Sequence, residues 1–328
     1  MSQAPGGEAG FPAMTATAAG SQIRRRRRSL GATAFRAFSP YLLLAPAALV
    51  IVAVLGYPLY KLGRLSFEQF GLAELITRKG NWVGFANYSR VFHDHQFWTV
   101  LLRTVVFTAV TVGLTMVLGT LIALLLTRLG RFVRLLLTSG LVLVWATPVL
   151  VAVNIFRWMV DYEFGVLNWT LAKLGFDSFL NKDWFADPKM GFAVISATVV
   201  WGAIPFVAIT IYAGLSQVPA ELVEAAEIDG ARRWQVFKDI TFPLLLPIFV
   251  ILTSLSIIWD FQVFNQVWLM RGSEPEEDYW LMSVYSFIEA FKLGEYGFGA
   301  AIAVVMVCAL FLATFVYLRQ MVRMGDAR

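Results

Sequence analysis

Residues 218–247 read VPAELVEAAEIDGARRWQVFKDITFPLLLP. This stretch is charged and regularly patterned, yet long apolar runs flank it on both sides. Pro219 suits the first turn of a helix, where a missing N–H costs nothing, and Glu221 and Glu224 fall near the positive end of that helix's dipole. Leu222, Ala225, Ala226 and Asp229 share one side of it. Gly230 supplies the left-handed residue that ends it. A second short helix is expected over 231–240, with Trp234, Phe237 and Ile240 on one face, and Pro243 then restarts the chain as a membrane helix. Small residues beside carboxylates let another protein's backbone come close, so this helix, glycine turn and helix suit a knob that plugs into a partner's groove. An amphipathic loop lying on lipid headgroups is the alternative.

Working outward, the 328 residues are 58% hydrophobic and 15% charged, with a mean hydropathy of +0.67. That is too apolar for a soluble globular protein and reads as an all-α polytopic membrane protein. Six runs are long enough to cross about 30 Å of hydrocarbon: 41–60, 99–126, 133–156, 191–215, 244–269 and 298–318. Residues 1–40 are rich in Ala, Gly, Ser, Thr and Pro and end near the run Arg24 to Arg28, so they read as a disordered basic tail on a transmembrane domain over 41–328. Basic clusters abut helix ends at Arg24 to Arg28, at Arg128, Arg131 and Arg134, and at Arg319 and Arg323. The positive-inside rule then places both termini, and the loop over 216–243, in the cytoplasm of a plasma (inner) membrane protein. The net charge of +5 is spread among loops, which argues against nucleic acid. One cysteine, Cys308, excludes an internal disulfide and a cysteine metal cluster. His93, Asp94 and His95 carry ligand chemistry but lack further ligands nearby, so no metal site is expected.

Glu224-Ala225-Ala226, three residues, Gly230, nine residues, then Ile240-Thr241-Phe242-Pro243 resembles the EAA loop of binding-protein-dependent ABC importer permeases, with Phe242 where that family usually has Leu. Gly84, Asn87 and Tyr88 resemble the G-x-x-N-Y stretch before the second helix of its sugar-type branch. The resemblance implies the type I importer permease (MetI-like) fold with six transmembrane helices. It implies that Glu224, Ala225, Ala226, Asp229, Gly230 and Pro243 couple this chain to a cytoplasmic ATPase. The implied partners are a second homologous permease, two ATPase subunits and an extracytoplasmic solute-binding protein, all around membrane lipid. No G-x-x-x-x-G-K-[ST] loop is present, so no cofactor is expected in this chain, and ATP and magnesium belong to the partner. The chain is then a transport subunit and not an enzyme.

Asp260 is the carboxylate well inside a span, where burial costs about 2.5 to 3.5 kcal/mol, so it should face protein or a wet cavity. Ser256, Trp259, Asp260 and Val263 are spaced to share one helix face. An indole on which a pyranose can stack, beside a carboxylate that accepts hydroxyl hydrogen bonds, forms a sugar-contacting pair; pairing of Asp260 with a neighbouring subunit is the alternative. By resemblance, counting from Glu224 in the maltose-type branch, substrate contacts fall near Gly202, Ala203 and Phe206 as well as on those four. The run at 261–270, FQVFNQVWLM, resembles the family's F-x-x-F-D-x-I-x-x-L-T, with Asn265 in place of Asp. The favoured function is ATP-driven import of a sugar or oligosaccharide by alternating access. The rival is an ion-coupled secondary carrier that uses Asp260 as its coupling site. Thr115, Gly119 and Ala123, and again Gly299 and Ala303, form small-xxx-small seams for close helix packing.

Overall fold

The computed structural model describes residues 44–326, with side chains to residue 319; the tail over 1–40 and the Arg323 side chain lie outside the described residues. The chain divides into two units, 1–57 and 58–328. In the first, described residues 44–57 are helical, with a π turn at Val52–Gly56, and belong to α1 (Leu44–Ser66). In the second, an antiparallel pair of two-residue strands, β1 (Glu68–Gln69) and β2 (Asn81–Trp82), brackets α2 (Leu72–Thr77), and α3 (Ala86–His93) leads into α4 (His95–Arg128). The Gly84 to Tyr88 stretch pins this hairpin. Gly84 takes φ +57°, the Asn87 side-chain amide donates to the Ser66 and Glu68 carbonyls at 3.0 and 2.9 Å, and the Tyr88 hydroxyl bonds Ser66 Oγ at 2.6 Å. Asp94 is a structural residue: its carboxylate caps α4 by accepting the Gln96 N–H at 2.9 Å, and it also takes the Tyr285 hydroxyl.

Five helices among the described residues are long and apolar enough to cross a membrane: α1, α4, and three introduced below. The run at 133–156, expected as one span, is not one continuous helix. It forms α5 (Arg131–Trp145) and α6 (Val149–Met159), bent by 100°. Pro148 is the cause, because proline disfavours helical backbone at the residue before it and sets its own φ for a new helix start; it sits as the N-cap of α6 at φ −58°, ψ 138°. The pair supplies the sixth span only if it is counted as one broken crossing. The short α7 (Val166–Lys173) precedes α8 (Pro188–Leu215), whose N-terminus Asp187 caps by accepting the Lys189 N–H at 2.9 Å. α8 runs unbroken through Pro205. Val207 and Ala208, fully buried just beyond that proline, hold the helix by packing.

α9 (Ala220–Ile228) and α10 (Arg233–Phe261) follow. The expected separate helix over 231–240, restarted at Pro243, is corrected: those residues are the first turns of α10. A π turn at Phe237–Thr241 absorbs the proline, with the Phe242 N–H reaching back five residues to the Phe237 carbonyl just before the residue that brings no N–H. The run at 244–269 is likewise not continuous. α10 stops at Phe261 and the chain breaks before α11 (Asn265–Met270), so Val263 lies beyond the helix and not on the face it was expected to share. α12 (Met282–Phe287), a π turn at Ile288–Lys292 and α13 (Tyr296–Asp326) complete the chain.

The core is α4 against α8 and α10. In lipid, apolar burial does not drive helices together, so close approach of small residues must. Thr115, Gly119 and Ala123 are buried in this seam. A Cβ added at Gly119 would lie 2.6 Å from Val207 Cγ1, which is why the position takes no side chain. Gly299 repeats the device, its open side facing Ala290 Cβ at 2.7 Å.

Candidate functional site

A cavity of about 260 Å³ opens where the α5–α6 bend, α8 and the end of α10 converge. The bend contributes Trp145, Thr147 and Val149, α8 contributes Trp201, Gly202, Ala203 and Phe206, and the last turn of α10 contributes Trp259 and Asp260. Val263 and Gln266, at and after the break, close it. Six of the seven residues singled out for substrate contact therefore line one space. Ser256, 4% exposed, is buried one turn back on α10 and does not line it. The sequence reading missed Trp145, Thr147, Trp201 and Gln266. The visible signal for the first two was an indole and a hydroxyl directly before Pro148, where a broken helix must expose its ends.

The walls are aromatic and mutually braced. Trp145 stacks on Phe206 at 6.4 Å between centroids, Phe206 meets the Trp259 ring edge-on at 5.3 Å, and Trp201 is held by Phe156 at 5.7 Å. Aromatic pairs of this kind hold ring orientation as well as area, so flat apolar faces are presented to whatever enters. Gly202 keeps the α8 wall low; no atom lies within 4 Å of where its Cβ would be.

Asp260 is 4% exposed and packs beside Thr111 of α4. Its Oδ2 makes no hydrogen bond, and neither do the hydroxyls of Thr108 and Thr115 on the same face of α4. Buried polar atoms almost always have a partner. The Asp260 carboxylate, beside Thr111 and lining the aromatic cavity, thus keeps one enclosed oxygen with acceptor capacity to spare.

The elbow at the other end of α10 is built as a helix stop. The Gly230 N–H donates to the Glu227 carbonyl at 3.1 Å and the Ala231 N–H to the Ala226 carbonyl at 2.9 Å, the paired bonds of a Schellman motif. Gly230 sits at φ +81° with open space where a Cβ would be, so the demand for glycine is conformational and not steric. Asp229 is the C-cap, outside the helix proper, and Pro219 is the N-cap. Glu224 and Ala225 are exposed, Ala226 half-buried. Ile228 and Trp234 stand in solvent, 86% and 68% exposed. From Trp234 an aromatic row, Phe237, Phe242 and Phe249, runs up α10 with centroids 5.0 to 6.2 Å apart.

The basic turn between α4 and α5 lies at this same end. The Arg134 guanidinium donates to the Leu129 carbonyl at 2.7 Å and to the Tyr212 hydroxyl, near the end of α8, at 3.0 Å. At the opposite end Arg271 pairs with Glu276 and covers the Tyr279 ring at 4.5 Å. Burial pushes the Tyr279 phenol up to about 12. Gly272 and Ser273, both at φ 65°, shape the loop that follows α11. Among the described residues no group of three or more His, Cys, Asp or Glu could hold a metal ion.

Residues 115–324 match the family model of binding-protein-dependent transport system inner membrane components. The chain is 44% identical over 299 residues to the diacetylchitobiose uptake system permease protein of Streptomyces coelicolor, covering 91% of each chain. It is 35% identical to the sulfoquinovosyl glycerol transport system permease protein of Agrobacterium fabrum, covering 85% of this chain and 88% of that one. It is 32% identical to the trehalose/maltose transport system permease protein of Thermococcus litoralis, covering 91% and 96%. Among solved structures, a chain of the bacterial alginate ABC transporter in complex with an alginate pentasaccharide-bound periplasmic protein superposes with a TM-score of 0.74 at 18% identity, over 88% of this chain and 95% of that one. At that identity the likeness is one of fold.

Proposed function

Since the chain belongs to the family of binding-protein-dependent transport system inner membrane components, as an ABC importer permease, we propose that its cargo is a sugar or short oligosaccharide that passes through the Trp145–Phe206–Trp259 cavity. The observation that carries this reading is that one helix serves both ends of the task. α10 begins at the glycine elbow and ends with Trp259 and Asp260 in the cavity wall, roughly 40 Å apart at 1.5 Å per residue. A push on the elbow therefore reaches the cavity through a single, aromatic-braced rod.

The aromatic faces suit the C–H faces of sugar rings, and the unpartnered Asp260 oxygen suits a hydroxyl or amide donor. Loss of such a donor leaves a buried acceptor unsatisfied, which is how a site built to bond a hydroxyl rejects compounds that lack one. The relatives' cargoes, diacetylchitobiose, sulfoquinovosyl glycerol and trehalose or maltose, support a carbohydrate. The elbow docks on a cytoplasmic ATPase through Glu224, Ala225, Ala226, Asp229, Gly230 and Pro243, with Ile228 and Trp234 as exposed apolar contacts. Clustering of Arg128, Arg131 and Arg134 at the elbow's end of the bundle supports the cytoplasmic assignment of that end, and with it both termini. The complex comprises this chain, a second permease, two ATPase subunits that bind ATP and magnesium, and an extracytoplasmic binding protein. ATPase closure shifts the population of inward- and outward-facing states through α10.

The test is ATP hydrolysis by the assembled importer in lipid nanodiscs, with its binding protein, across a panel that includes N,N′-diacetylchitobiose, maltose, amino acids and sodium or proton gradients. Stimulation by a saccharide, lost in Trp259→Ala with assembly intact, is expected. Cargo movement without nucleotide, driven by an ion gradient and lost in Asp260→Asn, would establish the secondary-carrier reading instead.

A further inference from the structure

A second, smaller cavity of about 200 Å³ lies in the loop after α6, between Tyr162, Phe164, Trp169 and Asn181. Its frame is rigid for a loop. The Asp161 carboxylate accepts the N–H groups of Glu163 and Phe164, both at 2.9 Å; these bonds hold that carboxyl below the usual carboxylate range. Asn168, 3% exposed, uses its whole amide as a cross-brace, donating to the Asp161 and Lys182 carbonyls at 3.1 and 2.9 Å and accepting the Trp184 indole N–H at 2.6 Å. On this frame stand three rings, with Tyr162, Phe164 and Trp169 being 53%, 74% and 59% exposed; the Lys173 ammonium sits over one face of Trp169, 5.8 Å from its centroid. Among the described residues, the Trp169 indole N–H, the Tyr162 hydroxyl, the Glu163 carboxylate and the Asn181 amide hydrogen-bond no protein group.

We propose that this cavity is an outer saccharide subsite that receives one ring of the cargo before it reaches the cavity at Trp259. Exposed apolar rings around a concavity, rimmed by free polar side chains, mark a ligand site more than a stable surface. The chemistry offered is that of a neutral sugar: aromatic faces for the C–H face of a pyranose, a carboxylate that only accepts, and an amide that both donates and accepts. The volume, like that of the inner cavity, lies below the roughly 300–1,000 Å³ of sites for drug-sized ligands, so each takes one ring of the cargo at a time. The position is apt. Val149 and Ala152 of α6 line the inner cavity and Tyr162 lies three residues past the same helix's end at Met159, itself about 10 Å on from Ala152 at helical rise, so α6 joins the two sites. A lipid-facing aromatic belt would present the rings on a convex face without a cleft holding Glu163 and Asn181.

This inference rests on the carbohydrate reading, and one measurement separates the two. Saturation-transfer-difference NMR on the importer in nanodiscs, without nucleotide or binding protein, is recorded with N,N′-diacetylchitobiose and with maltose. Trp169→Ala and Asn181→Ala are expected to weaken the outer-site signal about tenfold, the equivalent of ~1.4 kcal/mol, while Trp259→Ala leaves it and Trp169→Tyr retains it. The Asn181 side chain has no protein hydrogen bond to lose, but its backbone sits at φ 54°, where alanine is strained, so Asn181→Gly is run beside it and is expected to lose the same signal without that strain. Signal unchanged in Asn181→Ala and Trp169→Ala, or signal abolished by Trp259→Ala alone, overturns the outer subsite and leaves the cargo reading standing. Absence of any signal together with absence of saccharide-stimulated ATP hydrolysis overturns both.

Discussion

Replacing Gly230 with alanine tests the elbow at its one conformational demand. At φ +81° a residue with a Cβ meets the following carbonyl oxygen, a strain of roughly 1–2 kcal/mol for an L-residue, while asparagine visits this region far more readily because its short polar side chain bonds locally. No atom lies within 4 Å of the added Cβ, so no clash adds to that strain. If the elbow must hold this shape to seat on the ATPase, about 1.4 kcal/mol lowers the seated population by tenfold. Gly230→Ala should therefore reduce ATP-driven uptake by about five- to thirtyfold in the reconstituted importer, with little change in basal ATP hydrolysis and little loss of membrane-helix stability. Gly230→Asn should recover most of the uptake. Wild-type uptake in the alanine variant would refute the reasoning. So would equal losses in alanine and asparagine, which would mean that bulk against the partner, and not backbone angle, is what glycine avoids there.

Asp260→Asn keeps the shape of the side chain and removes its charge; with charge-assisted hydrogen bonds contributing about 1.5–3 kcal/mol, the half-saturating sugar concentration for ATPase stimulation should rise by about ten- to a hundredfold with the complex still assembled on size exclusion. Gly119→Leu drives a side chain into Val207 in the α4–α8 seam, and overpacking of this kind costs about 1–3 kcal/mol, so a lower melting temperature in detergent should appear before any change in ATPase coupling. Glu289, 8% exposed and outside the spans, has its carboxyl pushed up to about 7, first by burial, with Glu295 and Asp94 adding to the effect and Arg90 opposing it. The folded state thus holds a proton that the unfolded chain releases near the ordinary glutamate value of 4.5, so stability should fall as pH rises from about 4.5 to 7. Glu289→Gln should flatten that part of a melting-temperature profile.

The elbow was legible in the sequence because its signals are local: a proline start, a glycine stop and carboxylates in the first turn each act within a few residues. The spans were legible because crossing hydrocarbon demands length and apolarity, both of which can be counted. Pro148 and Pro205 carry the same local signal, since either can kink a helix. One breaks its helix by 100° and the other does not, because Val207 and Ala208 are clamped beside Pro205 while the turn at Pro148 is free to open. Spacing alone also could not show that α10 ends at Phe261, which moved Val263 off the helix face and yet left it in the cavity wall.

What the sequence by itself determined was which segments enter the membrane and which loop stays out, since those choices depend on hydropathy and on backbone preferences of single residues. What only the tertiary structure decided was the cavity. Trp145, Phe206 and Trp259 lie far apart in the chain, and they meet because Gly119 lets α4 and α8 close together and because the bend at Pro148 turns α5 back toward them. Helix approach of that kind depends on how shapes fit across helices, which no single stretch of sequence carries.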